Sequence, residues 1–203
     1  MWLFICITIV AGYLLGNING AIITSRLMHD DVRKHGSGNA GLTNFIRNYG
    51  AGRSLLVIAL DSVKTVAGCV LGGLLLKNYL SFSEGAAIGG AAVILGHAFP
   101  AFLGFRGGKG ILSGLFFAVV VDWRVALIIL GVFAVFYFTT NYVSLGSVLA
   151  ALAFGISFAL LHHDSLPILI CGILVSALAI FMHRTNIVRL CKGEETKTNL
   201  FKK

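Results

Sequence analysis

The chain has 203 residues, of which 57% are apolar and 12% charged, and its mean hydropathy is +0.90. This composition excludes an ordinary soluble globular protein and leaves no length for a separate soluble domain. The net charge of +8 does not indicate a nucleic-acid partner, because the cations lie in short loops between apolar segments rather than on one basic face. We therefore expect residues 1–203 to form one all-α polytopic membrane domain.

The apolar segments predict about seven transmembrane helices. No Lys or Arg precedes the first segment and no small-residue cleavage site follows it, so we expect it to be retained rather than removed as a signal peptide. The fourth segment, of roughly a dozen residues, is too short to cross a bilayer alone, which predicts a short or broken helix buried in protein. The predicted spans are residues 2–27, 54–76, 85–105, 111–121, 125–138, 145–161 and 166–182.

The sixteen Lys and Arg residues predict the orientation. Thirteen fall on the inner side if the N-terminus is outside and seven spans follow, whereas Lys77 and Arg124 fall outside and Lys64 lies within a span. This asymmetry favours an N-out, C-in topology. The polar segments at 29–53, at 106–110 and from 183 onward then share the cytoplasmic face and can build one site.

The first polar segment contains closely spaced glycines followed by a short amphipathic helix. Such glycines let backbone amides converge on an anion, and we expect Thr43 to cap a helix that ends at Gly50. A helix N-terminus beside hydroxyl and amide side chains is a phosphate site, although an ordinary glycine-rich turn is the alternative. The candidate substrate-binding residues here are Gly36, Ser37, Gly38, Asn39, Thr43, Asn44 and Arg47.

The second polar segment follows a histidine and a proline near the end of the third span. Pro100 interrupts the helix ladder beside His97, and glycines around Lys109 predict a second anion-binding loop. The segment is not a P-loop, because it lacks the GxxxxGK[ST] pattern. His97 is a candidate catalytic or binding residue, with a structural polar contact as the alternative; Arg106, Gly107, Gly108 and Lys109 are candidate substrate-binding residues.

The C-terminal segment predicts a short helix that Gly193 ends. Its candidate binding residues are His183, Asn186, Arg189 and Glu194; the alternative is a basic helix that holds anionic lipid. Asn141 and Ser144 are expected either to close the site or to cap helices.

Two features lie within the apolar segments. Asp61 and Lys64, at i and i+3 inside a span, are expected to pair with each other or with loop residues, and to support the structure. The four cysteines lack metal-ligand spacing and are read as small apolar side chains.

Three spaced signatures, GSGNAGLTNFIR, GHAFPAFLGFRGGKG and HRTNIVRLCKGEE, occur together in the chain. With them the chain resembles, nearly end to end, the bacterial acyl-phosphate:glycerol-3-phosphate acyltransferase family, called PlsY. It departs from the family pattern at Gly16-Asn-Ile-Asn19, at Ala40 and Leu42, and at Ile111-Leu-Ser113.

The resemblance implies an enzyme of the bacterial inner membrane that moves a fatty acyl group from acyl phosphate to the 1-hydroxyl of glycerol 3-phosphate, giving lysophosphatidic acid. It implies no cofactor and no metal. The sequence leaves open whether a soluble enzyme that produces acyl phosphate docks on the inner loops.

The residues indicate a direct reaction, since no histidine is followed five positions later by an aspartate. We expect the glycerol hydroxyl to attack the acyl carbonyl without an acyl-enzyme, its proton passing to His97 or to a phosphate oxygen. The candidate catalytic residues are His97, Ser37 and Lys109; Ser37, Arg47 and Lys109 hold phosphate, and His183 and Asn186 orient the second ligand.

Two other classes of protein remain as alternatives. One is a small transporter or channel for an anionic phosphorylated metabolite, which the absence of an internal repeat disfavours. The other is a structural membrane scaffold, which leaves the glycine-rich loops unexplained.

Overall fold

The computed structural model describes residues 1–198, and the predicted inner-side cations Lys202 and Lys203 lie beyond that range. Within it the chain forms ten α-helices, two short 3₁₀ helices and no strand. The α-helices are α1 (Trp2–Gly16), α2 (Gly20–Arg26), α3 (Leu42–Tyr49), α4 (Ala51–Leu75), α5 (Phe82–Ala98), α6 (Ile111–Val121), α7 (Trp123–Thr140), α8 (Val143–Leu161), α9 (Leu166–Met182) and α10 (Arg184–Cys191). The 3₁₀ helices are Val32–Lys34 and Ala101–Leu103.

Apolar helices occupy all seven predicted positions. Five segments have the length and hydropathy to cross a membrane, and α9 reaches that length only together with α10, from which it is bent by 55°. The remaining one, α6, has 11 residues, which confirms the predicted short fourth helix. Many large apolar side chains on the bundle surface are exposed, as a lipid-facing surface requires.

The first span is interrupted, whereas a continuous apolar segment was predicted. Helix α1 ends at Gly16, and Asn19 begins α2 by accepting a hydrogen bond from the amide of Ile22 (3.0 Å). At the break, the backbone carbonyl of Ile18 accepts a hydrogen bond from Lys64 of α4 (2.6 Å). A broken helix inside a membrane protein needs such internal partners.

Glycines bring α4 and α5 into backbone contact. A Cβ on Gly89 would overlap the carbonyl oxygen of Gly68, and one on Gly72 would overlap that of Gly85. Lipid does not drive helices together by the hydrophobic effect, so close approach through small residues is a main source of their attraction. The pair α4 and α5, with α1 packed beside it, forms one side of the bundle.

Larger side chains pack the other side, formed by α6 to α9. Phe117 of α6 lies 5.5 Å from Phe154 and 5.6 Å from Phe158 of α8, between ring centroids. Phe117 and Phe158 are fully buried. This cluster holds the short helix α6 in the bundle.

The three polar segments meet at one end of the bundle, as predicted. Arg33 donates to the carbonyl of Leu103 (3.1 Å), and Lys109 donates to the side chain of Asn186. The opposite end has its own polar contacts, in which the ring of His162 lies 2.9 Å from the carboxylate of Asp122.

Candidate active site

A cavity of about 300 Å³ opens among the three polar segments and helices α6 to α8. Part of its lining is polar and comes from Ser37, Asn39, Thr43, Asn44, Arg47, Asp61, His97, Lys109, Ser144, Ser147, His183, Asn186 and Glu195. The rest is apolar and includes Leu112, Leu115, Ile129, Leu130 and Phe133. One cavity therefore joins a cationic end to an apolar wall.

Asn44 organises the first polar loop from inside. Its side-chain nitrogen donates to the carbonyls of Val32 (3.1 Å), His35 (3.0 Å) and Asn39 (3.0 Å). Its side-chain oxygen accepts from the amide of Ser37 (3.1 Å). Asn44 is 3% exposed; it holds the loop in shape and is also one of the residues that line the cavity.

The helix after this loop starts differently from the prediction. Gly41, with φ −132° and ψ 165°, is the residue that begins α3, and no side chain caps the helix. Thr43 is the second helical residue, so the prediction that Thr43 caps α3 was wrong; α3 does end at Gly50. Within residues 1–198 the amides of Leu42, Thr43 and Asn44 have no acceptor and remain available to an anion.

Gly36 and Gly38 shape this loop and do not line the cavity, whereas Gly41 lines it. Gly36 and Gly38 have φ of 56° and 70°, where L side chains are strained. A Cβ on Gly36 would also overlap the side-chain oxygen of Asn44. Ser37, between them, is exposed and lines the cavity.

Two of the glycine amides in the second polar loop, which was predicted to bind an anion, are engaged within the protein. The amide of Gly107 donates to the carbonyl of Ala98 (3.2 Å) and that of Gly108 to the carbonyl of His97 (3.1 Å). These amides satisfy the end of α5 and are not free for a ligand. Arg106 is exposed and does not line the cavity, so of this loop's predicted binding side chains only Lys109 reaches it.

A buried carboxylate, ammonium and imidazole form a triad at the cavity, whose lining includes Asp61 and His97. Lys64 Nζ lies 2.7 Å from Asp61 Oδ1, which confirms the predicted pair, and 2.8 Å from His97 Nδ1. Asp61 also accepts from the amide of Gly20 (3.1 Å). The exposed fractions of Asp61, Lys64 and His97 are 2%, 3% and 4%, and such burial of charge requires this degree of pairing. Sequence reasoning did not connect His97 to the pair.

Lys109 is the central cation of the polar end. It donates to the side-chain oxygen of Asn186, whose nitrogen donates to Glu195 Oε1 (2.9 Å). Burial lowers the pKa of Lys109 to about 8, with further lowering by the nearby Arg189 and Arg47 against the opposing charge of Glu195. A bound phosphate would therefore stabilise the charged form of Lys109.

The tail after α10 places Glu195 at the cavity, one residue beyond the predicted Glu194. Gly193 turns the chain with φ 72°, after which Glu194 is exposed and absent from the lining. Glu195 is 8% exposed and accepts from Arg189 Nε (2.7 Å). Despite its burial, hydrogen bonds from Arg189 and Asn186 keep the pKa of Glu195 below its usual value.

The remaining predicted residues divide between lining and support. His183 lines the cavity, is 3% exposed, and its Nδ1 lies 2.8 Å from the carbonyl of Ala179. Ser144 lines the cavity, whereas Asn141 ends α7 with φ 61° and accepts at its carbonyl from the amide of Thr198 (2.9 Å). Asn141 is thus a helix cap outside the cavity, the second of its two predicted roles.

Arg47 reaches the cavity from α3 and meets the tail. It donates to the side chain of Thr198 and to the carbonyl of Thr196 (3.4 Å). Arg47 and Lys109 therefore bring positive charge to the cavity from two different polar segments, and Glu195 contributes negative charge beside them.

Comparison with known proteins gives consistent similarities over the whole chain. Residues 6–193 match the family model for glycerol-3-phosphate acyltransferase. A glycerol-3-phosphate acyltransferase of Thermoanaerobacter sp. (strain X514) is 39% identical over 196 residues, which are 96% of each chain. One of Trichormus variabilis is 35% identical, over 97% of this chain and 93% of the relative.

Solved structures are similar as well. The crystal structure of PlsY, an integral membrane glycerol 3-phosphate acyltransferase, in its glycerol 3-phosphate form has a TM-score of 0.86 and 31% identity, and the match covers 98% of this chain and 99% of that one. Its lysophosphatidic acid form has a TM-score of 0.83 and 32% identity, with 97% and 96% covered.

Proposed function

Because this chain belongs to the glycerol-3-phosphate acyltransferase family, and is therefore an enzyme that acylates glycerol 3-phosphate to lysophosphatidic acid, we propose that acyl phosphate is its acyl donor and that the cavity is its active site. One observation carries the proposal: a single cavity combines cations for phosphate with an apolar wall for a fatty chain. Family membership sets aside the transporter and scaffold alternatives.

The chemistry of both substrates fits the polar end of the cavity. Acyl phosphate and glycerol 3-phosphate each bring a phosphate, and the cavity offers Lys109, Arg47 and the free amides at the start of α3. A guanidinium binds two phosphate oxygens at once, and an ammonium binds as a point charge. Ser37 adds a hydroxyl from the loop before α3, and Asn186 and His183 orient the second ligand.

The apolar wall suits the fatty chain. Leu112 and Leu115 of α6, with Ile129 and Phe133 of α7, line the cavity beside the polar end. Burial of methylene groups there contributes about 0.8 kcal/mol each. An acyl phosphate with its chain along this wall has its phosphate among the cations.

The reaction proposed is direct acyl transfer. The 1-hydroxyl oxygen of glycerol 3-phosphate attacks the acyl carbonyl carbon, an ester C–O bond forms, and the C–O bond to the donor phosphate breaks. Inorganic phosphate leaves, and the hydroxyl proton passes to His97 or to a phosphate oxygen. Lys109 and Arg47 stabilise the charge that grows on the departing phosphate.

We further propose that the polar end faces the cytoplasm of a bacterium, across its inner membrane, with the N-terminus outside. The excess of Lys and Arg at this end supports that orientation. Exposed cations there, Arg26, Lys34 and Arg106, are the side chains that a soluble acyl-phosphate-producing enzyme would meet on docking.

The donor is tested with purified full-length protein in detergent. Palmitoyl phosphate, palmitoyl-CoA and palmitoyl acyl carrier protein are each supplied with radiolabelled glycerol 3-phosphate, and labelled lysophosphatidate is measured. We expect product with the acyl phosphate only, and loss of product with the Lys109→Ala variant. Product from acyl-CoA or acyl carrier protein, with none from acyl phosphate, would overturn the donor assignment.

A further inference from the structure

Asn19 begins α2 inside the break of the first span and also contacts the first polar loop. Its side-chain oxygen accepts from the amide of Ile22 (3.0 Å), and its side-chain nitrogen donates to the carbonyl of Ala40 (3.1 Å). Asn19 is fully buried and Ala40 is 1% exposed. One side chain therefore has two contacts, because its oxygen caps a helix and its nitrogen holds a loop 21 residues further along the chain.

The break that carries Asn19 is fixed to α4. The carboxylate of Asp61 accepts from the amide of Gly20 (3.1 Å), and the ammonium of Lys64 donates to the carbonyl of Ile18 (2.6 Å). The backbone on each side of Asn19 is thus bonded to a buried charged group of the neighbouring helix. Since a satisfied network of buried polar groups is rigid, Asn19 holds the loop from a fixed position.

The peptide between Ala40 and Gly41 leads into α3. No side chain of residues 1–198 caps this helix, so contacts from outside α3 hold its start. A trans peptide is planar, and its C=O and N–H groups point in opposite directions. The bond from Asn19 to the carbonyl of Ala40 therefore also sets the direction of the Gly41 amide.

We propose that Asn19 is a positioning residue for a substrate phosphate, and that it holds the Ala40–Gly41 peptide so that the amides at the start of α3 act on the anion together. The inference rests on the proposed function of the cavity. The amides of residues 41–44 have no acceptor in the part of the chain that the structure describes, and these residues all line the cavity. Amides that are already ordered bind an anion more tightly than amides that binding must order.

The bond between Asn19 and Ala40 is not one that the family pattern would have predicted. Both residues lie at positions where the chain departs from that pattern. The bond also joins the first span to the first polar loop, which are separate elements of the sequence. It is therefore visible only in the structure.

Asn19→Ser separates the two contacts of this side chain. The serine hydroxyl can still cap α2, but it is too short to donate to Ala40 at the same time. Asn19→Thr makes the same separation and leaves less empty volume, so it replaces the serine variant if that variant does not fold. Asn17→Ser is the matched control, because Asn17 lies in the same break and its side-chain oxygen accepts from the amide of Phe102 rather than holding the first polar loop.

The binding of inorganic phosphate is measured by NMR without any acyl donor. Full-length protein labelled with ¹⁵N-glycine is reconstituted in lipid nanodiscs, and the Gly41 signal is identified by its loss in Gly41→Ala. We expect phosphate to shift this signal in the parent. The phosphate dissociation constant should rise about 3- to 10-fold in Asn19→Ser, the range for one hydrogen bond, and stay within about twofold in Asn17→Ser. An unchanged constant in folded Asn19→Ser, or no shift in the parent, would overturn the proposal.

Kinetics then separate a positioning role from a merely structural one. We expect Asn19→Ser to raise the KM of a phosphate substrate about 3- to 10-fold, to keep kcat within about twofold of the parent, and to melt within a few degrees of Asn17→Ser. A lower kcat and melting temperature with unchanged KM values would contradict the proposal. The phosphate titration does not depend on the acyl donor, so failure of the parent to use acyl phosphate would overturn the donor assignment and not this inference.

Discussion

Lys109 donates a hydrogen bond to the side-chain oxygen of Asn186, and this contact joins the loop before α6 to helix α10. The nitrogen of the same amide donates to Glu195. Cation, amide and carboxylate therefore form one chain across the polar end of the cavity, and a change at any of them reaches the other two.

The pKa of Lys109 predicts the alkaline limb of the pH profile. Its charged form binds phosphate, and in the free enzyme its pKa is lowered to about 8. We expect kcat/KM for glycerol 3-phosphate to fall as pH rises through about 8, while kcat at saturation stays level because bound phosphate stabilises the ammonium. Lys109→Arg should move the fall to higher pH. An unchanged alkaline limb in that variant would assign the titration to another group.

Removal of either cavity cation should reduce activity without unfolding the protein. We expect Arg47→Ala and Lys109→Ala each to lower kcat/KM by about 100-fold or more, since each takes a charge from a bound phosphate. Arg47→Lys should recover little if the guanidinium binds two oxygens. Arg106→Ala is the matched control, because Arg106 is a cation of the same end that lies outside the cavity. Near-normal activity in both cavity variants would refute the phosphate site.

Ser37 is predicted to bind phosphate and not to carry the acyl group. Within residues 1–198 its hydroxyl makes no hydrogen bond to a base, the one side-chain contact of Ser37 being from its amide to Asn44, and covalent catalysis needs such a base. We expect Ser37→Ala to lower kcat/KM by about 10- to 1,000-fold. Mass spectrometry after incubation with acyl phosphate alone should find no acylated Ser37. A stoichiometric adduct that transfers to glycerol 3-phosphate would establish an acyl-enzyme instead.

Cysteine labelling in intact cells tests the orientation of the protein in the membrane. After replacement of the exposed Cys6 by Ala, a membrane-impermeant thiol reagent should miss Cys191 and a Ser37→Cys variant, both at the polar end. It should label His163→Cys, an exposed position at the opposite end. The reverse pattern would place the active site outside the cell.

The glycine contact between α4 and α5 predicts a stability difference between two alanine substitutions. A Cβ on Gly89 would overlap the backbone of Gly68, whereas one on Gly131 of α7 meets nothing within 4 Å. We expect Gly89→Ala to lose about 1–3 kcal/mol of stability and to melt several degrees lower in detergent. Gly131→Ala should match or exceed the parent, since alanine favours the helix. Equal melting temperatures of the two variants would show that α4 and α5 can move apart at Gly89 without loss of stability.

Local patterns predicted the bundle and the meeting of the polar segments, because apolar length and loop charge are read directly from sequence. The wrong predictions concern features that depend on the three-dimensional course of the backbone. The turn at Gly193 places Glu195 rather than Glu194 at the cavity. The backbone conformation of Gly41 determines where α3 starts. The amides of Gly107 and Gly108 are taken by the end of α5, a contact between distant elements that periodicity cannot report. The contact between His97 and Lys64 also joins distant elements, so the sequence did not predict it.

Glu195 is an internal counter-ion for the cations of the cavity. Its carboxylate lies among Arg189, Asn186 and the charge of Lys109, the groups that a substrate phosphate would also contact. A bound phosphate would therefore compete with the Glu195 carboxylate for these partners. The net binding free energy of the phosphate is then its interaction with the cations minus the interaction that Glu195 gives up. A strongly cationic cavity can therefore bind its substrate weakly enough to release product.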